Sequence, residues 1–468
     1  MIDALAQRLV QVRPSERQLR WQRMGMNAFF HFGINTFTGR EWGTGREDPA
    51  AFDPPSVDAD QWCRAVKRAG IRGCILTAKH HDGFCLWDTN QTRHSAMYSP
   101  FGKDVVRLLA DACRRHDLKL GLYLSPWDRR EPSYGSGKAY DDFFCAQLAE
   151  LLTGYGPLFE LWFDGACGEG PNGRVQRYDW ERIYALIRRH QPDACIAVCG
   201  PDVRWCGNEA GAWRESEWSA VPASLRDCEK IQAASQRSDG ARFRSRGIRS
   251  GDMDLGSRRV MAKAGEWAWY PAEVNASIRP GWFYHASEDE QLKSADWLLD
   301  LYEHTVGGNA VLLLNVPPAP DGRIHAFDEA RLAELGERIR ARYGENLAQG
   351  ARIEASAEAA GHEARHALTE DESFWMPEDG CEAAELCVRL PQPREISRVV
   401  LEEQVTMSQR VERFELAAGL GGEERTIYSG TTIGLRRICA FPTVPADRVT
   451  LRILESRVAP TIRHFALY

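Results

Sequence analysis

The chain reads as an α/β protein: a (β/α)8-like barrel over residues 1–344, followed by a C-terminal β-sandwich over 345–468. Three observations predict this. From Met26 to about Leu314 short apolar runs alternate with amphipathic helical stretches, the pattern of a parallel sheet built from repeated βα units. Roughly eight such runs occur, the number a closed barrel requires. After Gly344 helical periodicity gives way to short alternating runs between turn residues, the texture of a sandwich, with ENLAQG (345–350) as the linker.

The barrel strands expected in order are MNAFFHFG (26–33), GCILTAKHH (73–81), LKLGLYLSP (118–126), LFELWFDG (158–165), ACIAVCG (194–200), a weaker run near SEWSAV, GWFYH (281–285) and NAVLLLNV (309–316). The pattern thins after the fifth, where Gly, Trp and polar residues interrupt it. Between the strands lie helices such as SVDADQWCRAVKRAG, with Ser56 or Asp58 to cap it, Trp62, Ala65, Val66 and Ala69 on one face, and Gly70 to end it. The sandwich strands expected are ELCVRLPQP, ISRVVLEEQV, RVERFELAAG, RTIYSG, RVTLRILES and TIRHFALY. No repeat of solenoid or propeller period is present.

Composition narrows the function classes. The chain has 468 residues, 43% of them hydrophobic and 27% charged, which fits an ordinary folded protein and excludes long disorder. A net charge of −7 with interspersed signs lacks the basic stripe of a nucleic-acid binder. No window approaches a membrane span, and the N-terminus shows no apolar core of a signal peptide. The thirteen cysteines form an odd set without CxxC pairs, which favours a reducing compartment. Cytoplasmic placement is therefore expected, with periplasmic as the alternative. Fifteen tryptophans offer many flat apolar rings of the kind that stack on sugars, although core packing accounts for most Trp.

Polar residues at the carboxyl ends of barrel strands converge on one mouth, where barrel enzymes do their chemistry. The first strand ends in His31, the second in His80, His81 and Asp82, the third in Tyr123 and Ser125, and the fourth in Asp164; just past the fifth, RWCGNEAG sets Glu209 in a loop flanked by glycines. Each has a plain structural reading alone: a core histidine, a rim tyrosine, a strand-ending Asp-Gly turn. Together they are poorly explained that way. Two carboxylates at one mouth suit glycosidic cleavage, one attacking the anomeric carbon and the other handling the leaving-group proton. Trp162, two residues before Asp164, lies on its side of the strand, and Trp42 and Trp282 are further candidate walls. Imidazoles and a tyrosine match sugar hydroxyls as donors and acceptors. The alternatives are a metal-dependent hydrolase using His80, His81 and Asp82, and a carbohydrate-binding protein without catalysis. Adjacent strand residues face opposite sides, so His80 and His81 share a site only if the strand ends or bulges between them. No P-loop or GxSxG is present, nor a GxGxxG directly after a strand, and neither a cofactor nor a metal is expected.

With these residues assembled, the chain resembles the α-L-fucosidases of glycoside hydrolase family 29 from about Trp21 to Pro318. The matching segments are FFHFGINTFTGREWG, AKHHDGFCLW, GLYLSPWD, LWFDG, RWCGNEAG, SIRPGWFYH and LLLNVPP. The resemblance implies that Asp164 is the nucleophile, and that His31, Glu41, Trp42, His80, His81, Tyr123 and Trp162 line a fucose pocket, with Trp282 against the C6 methyl group. GNEAG is similar to the subfamily that cleaves α-1,3- and α-1,4-linked fucose, which implies Glu209 as acid/base ahead of its neighbours Glu215, Glu217 and Glu273. The expected activity is a retaining exo-α-L-fucosidase acting on oligosaccharides or glycoconjugates. Another linkage, such as core α-1,3 fucose of plant-type N-glycans, is the alternative. From NLAQGARIEAS to IRHFALY the chain resembles a discoidin-like, galactose-binding-like jelly roll, for which a buttressing role is expected ahead of sugar binding. Oligomeric state is left open.

Overall fold

A computed structural model describes residues 3–235 and 254–468. Among the described residues sixteen strands occur in chain order. Those of the N-terminal part are β1 (Met26–Phe30), β2 (Gly73–Lys79), β3 (Lys119–Leu124), β4 (Leu158–Phe163), β5 (Cys195–Val198), β6 (Arg204–Trp205), β7 (Ala220–Pro222), β8 (Trp267–Trp269), β9 (Ala272–Ser277) and β10 (Val311–Asn315). Eight form one parallel sheet in the order β5-β4-β3-β2-β1-β10-β9-β6, and a bridge between Ala197 and Val203 brings its two edges together into a barrel. Alternation sets the two faces. Phe29, Ile75, Tyr123, Trp162, Val311 and Leu313 fill the interior, while Phe30, Leu76, Leu122, Leu161, Phe163 and Leu314 pack outward against helices.

The helix Ala59–Arg68 is capped by Asp58, which accepts from the Gln61 N–H at 2.9 Å, and turns its Trp62, Cys63, Ala65 and Val66 inward. Gly70 ends it with φ +86°, a left-handed value only glycine takes without strain.

Two expected barrel strands are corrected. SEWSAV is not in the barrel: its end joins β7, which pairs antiparallel with β8 outside it. GWFYH is a loop, and the seventh barrel strand is β9, AEVNAS. The sixth, β6, is two residues long and too short for any periodicity to announce it. β9 escaped notice because its alternate residues Glu273, Asn275 and Ser277 are polar and all of them are buried.

The C-terminal part holds β11 (Arg352–Ala355), β12 (Ala384–Glu402), β13 (Val411–Leu420), β14 (Glu423–Gly430), β15 (Arg437–Ser456) and β16 (His464–Leu467), in the order β11-β12-β15-β13-β14 with β16 on β12. ELCVRLPQP and ISRVVLEEQV prove to be one strand, and the first half of β15 adds a run absent from the expected set. β12 and β15 pair in three stretches along their length, with register breaks between Arg389 and Arg394 and between Ile396 and Arg398. Such irregularities let a long strand serve both layers of a sandwich. Trp375, Leu386, Val399, Phe414, Leu451 and Phe465 fill the core between them.

The sandwich docks against the barrel through polar contacts. Asn309, at φ +64°, accepts from the Leu435 N–H at 2.8 Å and donates to the Glu217 carbonyl at 2.9 Å. Glu303, on the helix Ala295–Thr305, accepts from Arg342 at 2.8 Å, the Tyr343 hydroxyl at 2.7 Å and Arg398 of β12 at 3.2 Å. Among the described residues no helix is long and apolar enough to cross a membrane.

Candidate active site

At the carboxyl end of the barrel strands a pocket open to solvent is lined by Asp164, Glu209, His31, Glu41, Trp42, His80, His81, Tyr123, Trp162 and Trp282. These ten residues, all named from the sequence, face one cavity, whereas Asp82 and Ser125, also named at the strand ends, are not in its lining. Phe29, Val198, Trp205, Ser235 and Asn275 complete much of the wall and had no sequence signal.

β4 stops at Phe163, so Asp164 stands one residue past its end, on the inward side shared with Trp162 and Glu160. The Tyr123 hydroxyl donates to its Oδ2 at 3.1 Å and the Ala166 N–H to its Oδ1 at 2.8 Å. Burial pushes the Asp164 carboxyl above its ordinary pKa, and these two bonds restrain the rise. Its side chain keeps 25% exposure, an open face toward the cavity. Gly165 is not needed for a left-handed turn. It is needed for space, because a Cβ there would fall 2.3 Å from Ser235 Oγ.

His80 and His81 do share the pocket. β2 ends at Lys79 after an irregularity between Thr77 and Lys79, which frees both imidazoles from strand alternation, and their ring centroids lie 4.2 Å apart. Hydrogen bonding fixes the proton on each ring. The Ser125 hydroxyl donates to the Trp127 carbonyl at 2.6 Å, so it accepts from His81 Nδ1 at 2.7 Å and leaves His81 Nε2 a bare acceptor, 3.8 Å from Asp164 Oδ2. Asn315 donates its amide N–H groups to Ser277 and Trp282, so its oxygen accepts from His31 Nδ1 at 2.8 Å and His31 Nε2 is likewise an acceptor. His80 is reversed: its Nδ1 faces the Asn35 amide nitrogen at 3.5 Å, which leaves Nε2–H a donor. Burial lowers all three, His31 to about 4, His81 to about 3 and His80 well below the ordinary value, so each stays neutral near pH 7.

Glu209 is presented by GNEAG through a local device. The Asn208 side-chain oxygen accepts from the N–H groups of Ala210 and Ala212, both at 3.0 Å, and its amide donates to the Ala212 carbonyl at 3.0 Å. Gly207 and Gly211 supply φ values of +98° and +75° at the loop's ends. Glu209 Oε2 accepts from the Trp282 indole N–H at 3.1 Å, and Glu41 holds the same Trp282 by accepting from its backbone N–H at 2.8 Å while its other oxygen meets His285 Nε2 at 2.9 Å. Trp42 stands edge-on to His81, ring centroids 5.1 Å apart. The three competitors do not line the pocket. Glu217 is buried against Arg204 and Arg214, Glu273 lies beneath the floor, and Glu215 offers its carbonyl to Arg437 of the sandwich.

Beneath the pocket Glu160 and Glu273 form a buried carboxyl pair that sequence reading did not foresee. Glu160 accepts from the Trp21 indole at 2.7 Å, Glu273 from the Trp162 indole at 2.8 Å, and the second oxygen of each has no other partner. A proton shared between the carboxyls would satisfy both second oxygens. Burial raises both pKa values, Glu273 to about 7 and Glu160 well above its ordinary value. At the pocket wall Val198 holds φ +65°, strained for a β-branched residue.

Comparison with known proteins adds to this geometry. A family model described as alpha-L-fucosidase matches residues 7–345. A protein named putative alpha-L-fucosidase 1 from Oryza sativa subsp. japonica is 39% identical over 97% of this chain and 84% of its own length. The crystal structure of a putative alpha-L-fucosidase from Bacteroides ovatus superposes with a TM-score of 0.86 at 43% identity, covering 100% of this chain and 76% of that one. A Ruminococcus gnavus fucosidase of glycoside hydrolase family 29, solved in complex with fucose, gives a TM-score of 0.84 at 29% identity over 98% of this chain and 95% of that one.

Proposed function

The chain belongs to the alpha-L-fucosidase family of glycoside hydrolases, and from that premise we propose a retaining exo-mechanism in which Asp164 is the nucleophile and Glu209 the acid/base. The observation that carries this reading is the placement of the two carboxyl groups in one pocket with unlike surroundings. Asp164 is held by a hydroxyl and a backbone N–H, both of which favour its anion. Glu209 sits on a loop at the rim, contacted by an indole N–H.

Ionised Asp164 attacks C1 of the fucosyl unit while Glu209 gives its proton to the departing glycosidic oxygen. A water then enters, Glu209 takes its proton, and the resulting hydroxide equivalent displaces Asp164 from C1. The neutral histidines orient the sugar: His31 and His81 accept from its hydroxyls through Nε2, and His80 donates. Trp282 packs its ring against the C6 methyl. The substrate is a fucosylated glycan. The GNEAG form of the acid/base loop favours terminal α-1,3- and α-1,4-linked fucose.

Asp164→Asn should lower turnover by several orders of magnitude on every substrate, and substantial residual activity would refute the nucleophile assignment. For Glu209→Ala the loss should be large with a sugar leaving group and much smaller with an activated aryl one, since a good leaving group needs little protonation. Proton NMR of the first-formed fucose tests retention. A panel of oligosaccharides of defined linkage tests the α-1,3/1,4 preference, and faster release from core α-1,3 or α-1,2 linkages would overturn it.

A further inference from the structure

Away from the pocket, at the start of β2, three thiols from three elements converge. Cys63 lies on the helix Ala59–Arg68, Cys74 is the second residue of β2 with its side chain turned outward, and Cys113 lies on the helix Val105–Arg115. Their Sγ atoms are all within 4.8 Å of one another, and the three residues are 0%, 0% and 1% exposed. We propose that Cys63, Cys74 and Cys113 form a trithiolate site for a thiophilic divalent cation of the zinc class.

Geometry, charge and access support it. A metal–sulfur bond of about 2.3 Å in a trigonal plane puts sulfurs about 4 Å apart, so the thiols need only a small closure. All three are carried on regular helix or strand, which holds them near that spacing without a ligand. Binding is M²⁺ + 3 Cys–SH → M(S–Cys)₃⁻ + 3 H⁺, which leaves one negative charge in the core. A monovalent ion would leave two, and burying charge is costly, so the divalent ion is preferred. Access is provided one helical turn away. Asp60, three residues before Cys63, and His116, three residues after Cys113, pair at 2.9 Å with side chains 37% and 22% exposed. An arriving cation meets two groups of ligand type before it reaches the thiols.

The test uses the full, reduced chain incubated with cadmium(II) and passed through gel filtration. One cadmium ion should be retained per chain, with a sulfur-to-cadmium charge-transfer absorption in the ultraviolet and a raised Tm. Cys63→Ser, Cys74→Ser and Cys113→Ser should each lose the ion and the absorption, while metal-free fucosidase turnover stays that of the wild type. No retained cadmium in the wild type, or undiminished retention in the variants, overturns the proposal. Where a variant does not fold, alkylation of the wild type under mild denaturant decides. Cadmium should protect these three cysteines together, whereas protection of a different set, or a disulfide among the three, counts against the site.

Discussion

Tyr123 and Asp164 show how much one hydrogen bond decides at the pocket. The hydroxyl donates to a carboxylate that burial pushes toward its neutral form, so it favours the anion of the proposed nucleophile. Tyr123→Phe should cost about 1.5–3 kcal/mol, roughly tenfold to hundredfold in kcat/KM, as hydrogen bonds to charged groups do. It should also raise the Asp164 pKa, so the acid limb of the kcat/KM profile moves to higher pH. The Glu160–Glu273 pair makes a second pH prediction. An unfolded glutamate gives up its proton near pH 4.3, whereas the folded pair retains one to about 7 or beyond. Between those values the folded state binds more protons, so wild-type stability falls as pH rises. Glu160→Gln keeps both contacts, its oxygen accepting from Trp21 and its amide donating to Glu273, but needs no proton. Its Tm should match the wild type near pH 4.5 and exceed it near pH 8; a parallel decline in both proteins would show that the pair holds no extra proton.

At the scale of elements, the short GNEAG loop and the end of β4 place the two carboxylates by different means. β4 is positioned by its outward apolar residues Leu161 and Phe163, so Asp164 is held by the barrel itself. Glu209 depends on the three Asn208 hydrogen bonds that fold its loop. Asn208→Ala should therefore loosen acid catalysis selectively: a severalfold to hundredfold fall with sugar leaving groups and little change with aryl fucosides, measured as the kcat ratio between the two. Equal losses would mean that the loop serves folding rather than protonation. The first five barrel strands and the last were legible because their outward residues are apolar and face helices. β9 was not, because an inward face that supports a pocket is polar, and β6 is too short to carry a pattern.

At the scale of the molecule, no residue of the sandwich lines the pocket, and its contacts with the barrel include those to Glu303 and Asn309. Burial pushes the Glu303 carboxyl up, but hydrogen bonds from Arg398, Arg342 and Tyr343 hold it below its ordinary pKa. A depressed carboxyl contributes stability above its unfolded pKa and loses it as pH falls through the folded one. Glu303→Gln should thus lower stability at pH 7, by about 3 kcal/mol if the buried pairing is broken, and less at about pH 3, below the unfolded glutamate value. An equal shift at both pH values would exclude the ionic role. By itself the sequence determined the fold class and most of the polar residues that gather at the mouth, since strand ends in a barrel converge whatever their order along the chain. Only the tertiary structure decided which histidine nitrogen carries its proton, that Glu160 and Glu273 meet beneath the floor, and that three cysteines from separate elements converge. Those facts depend on pairs of side chains brought together across the barrel, a proximity that no local pattern encodes.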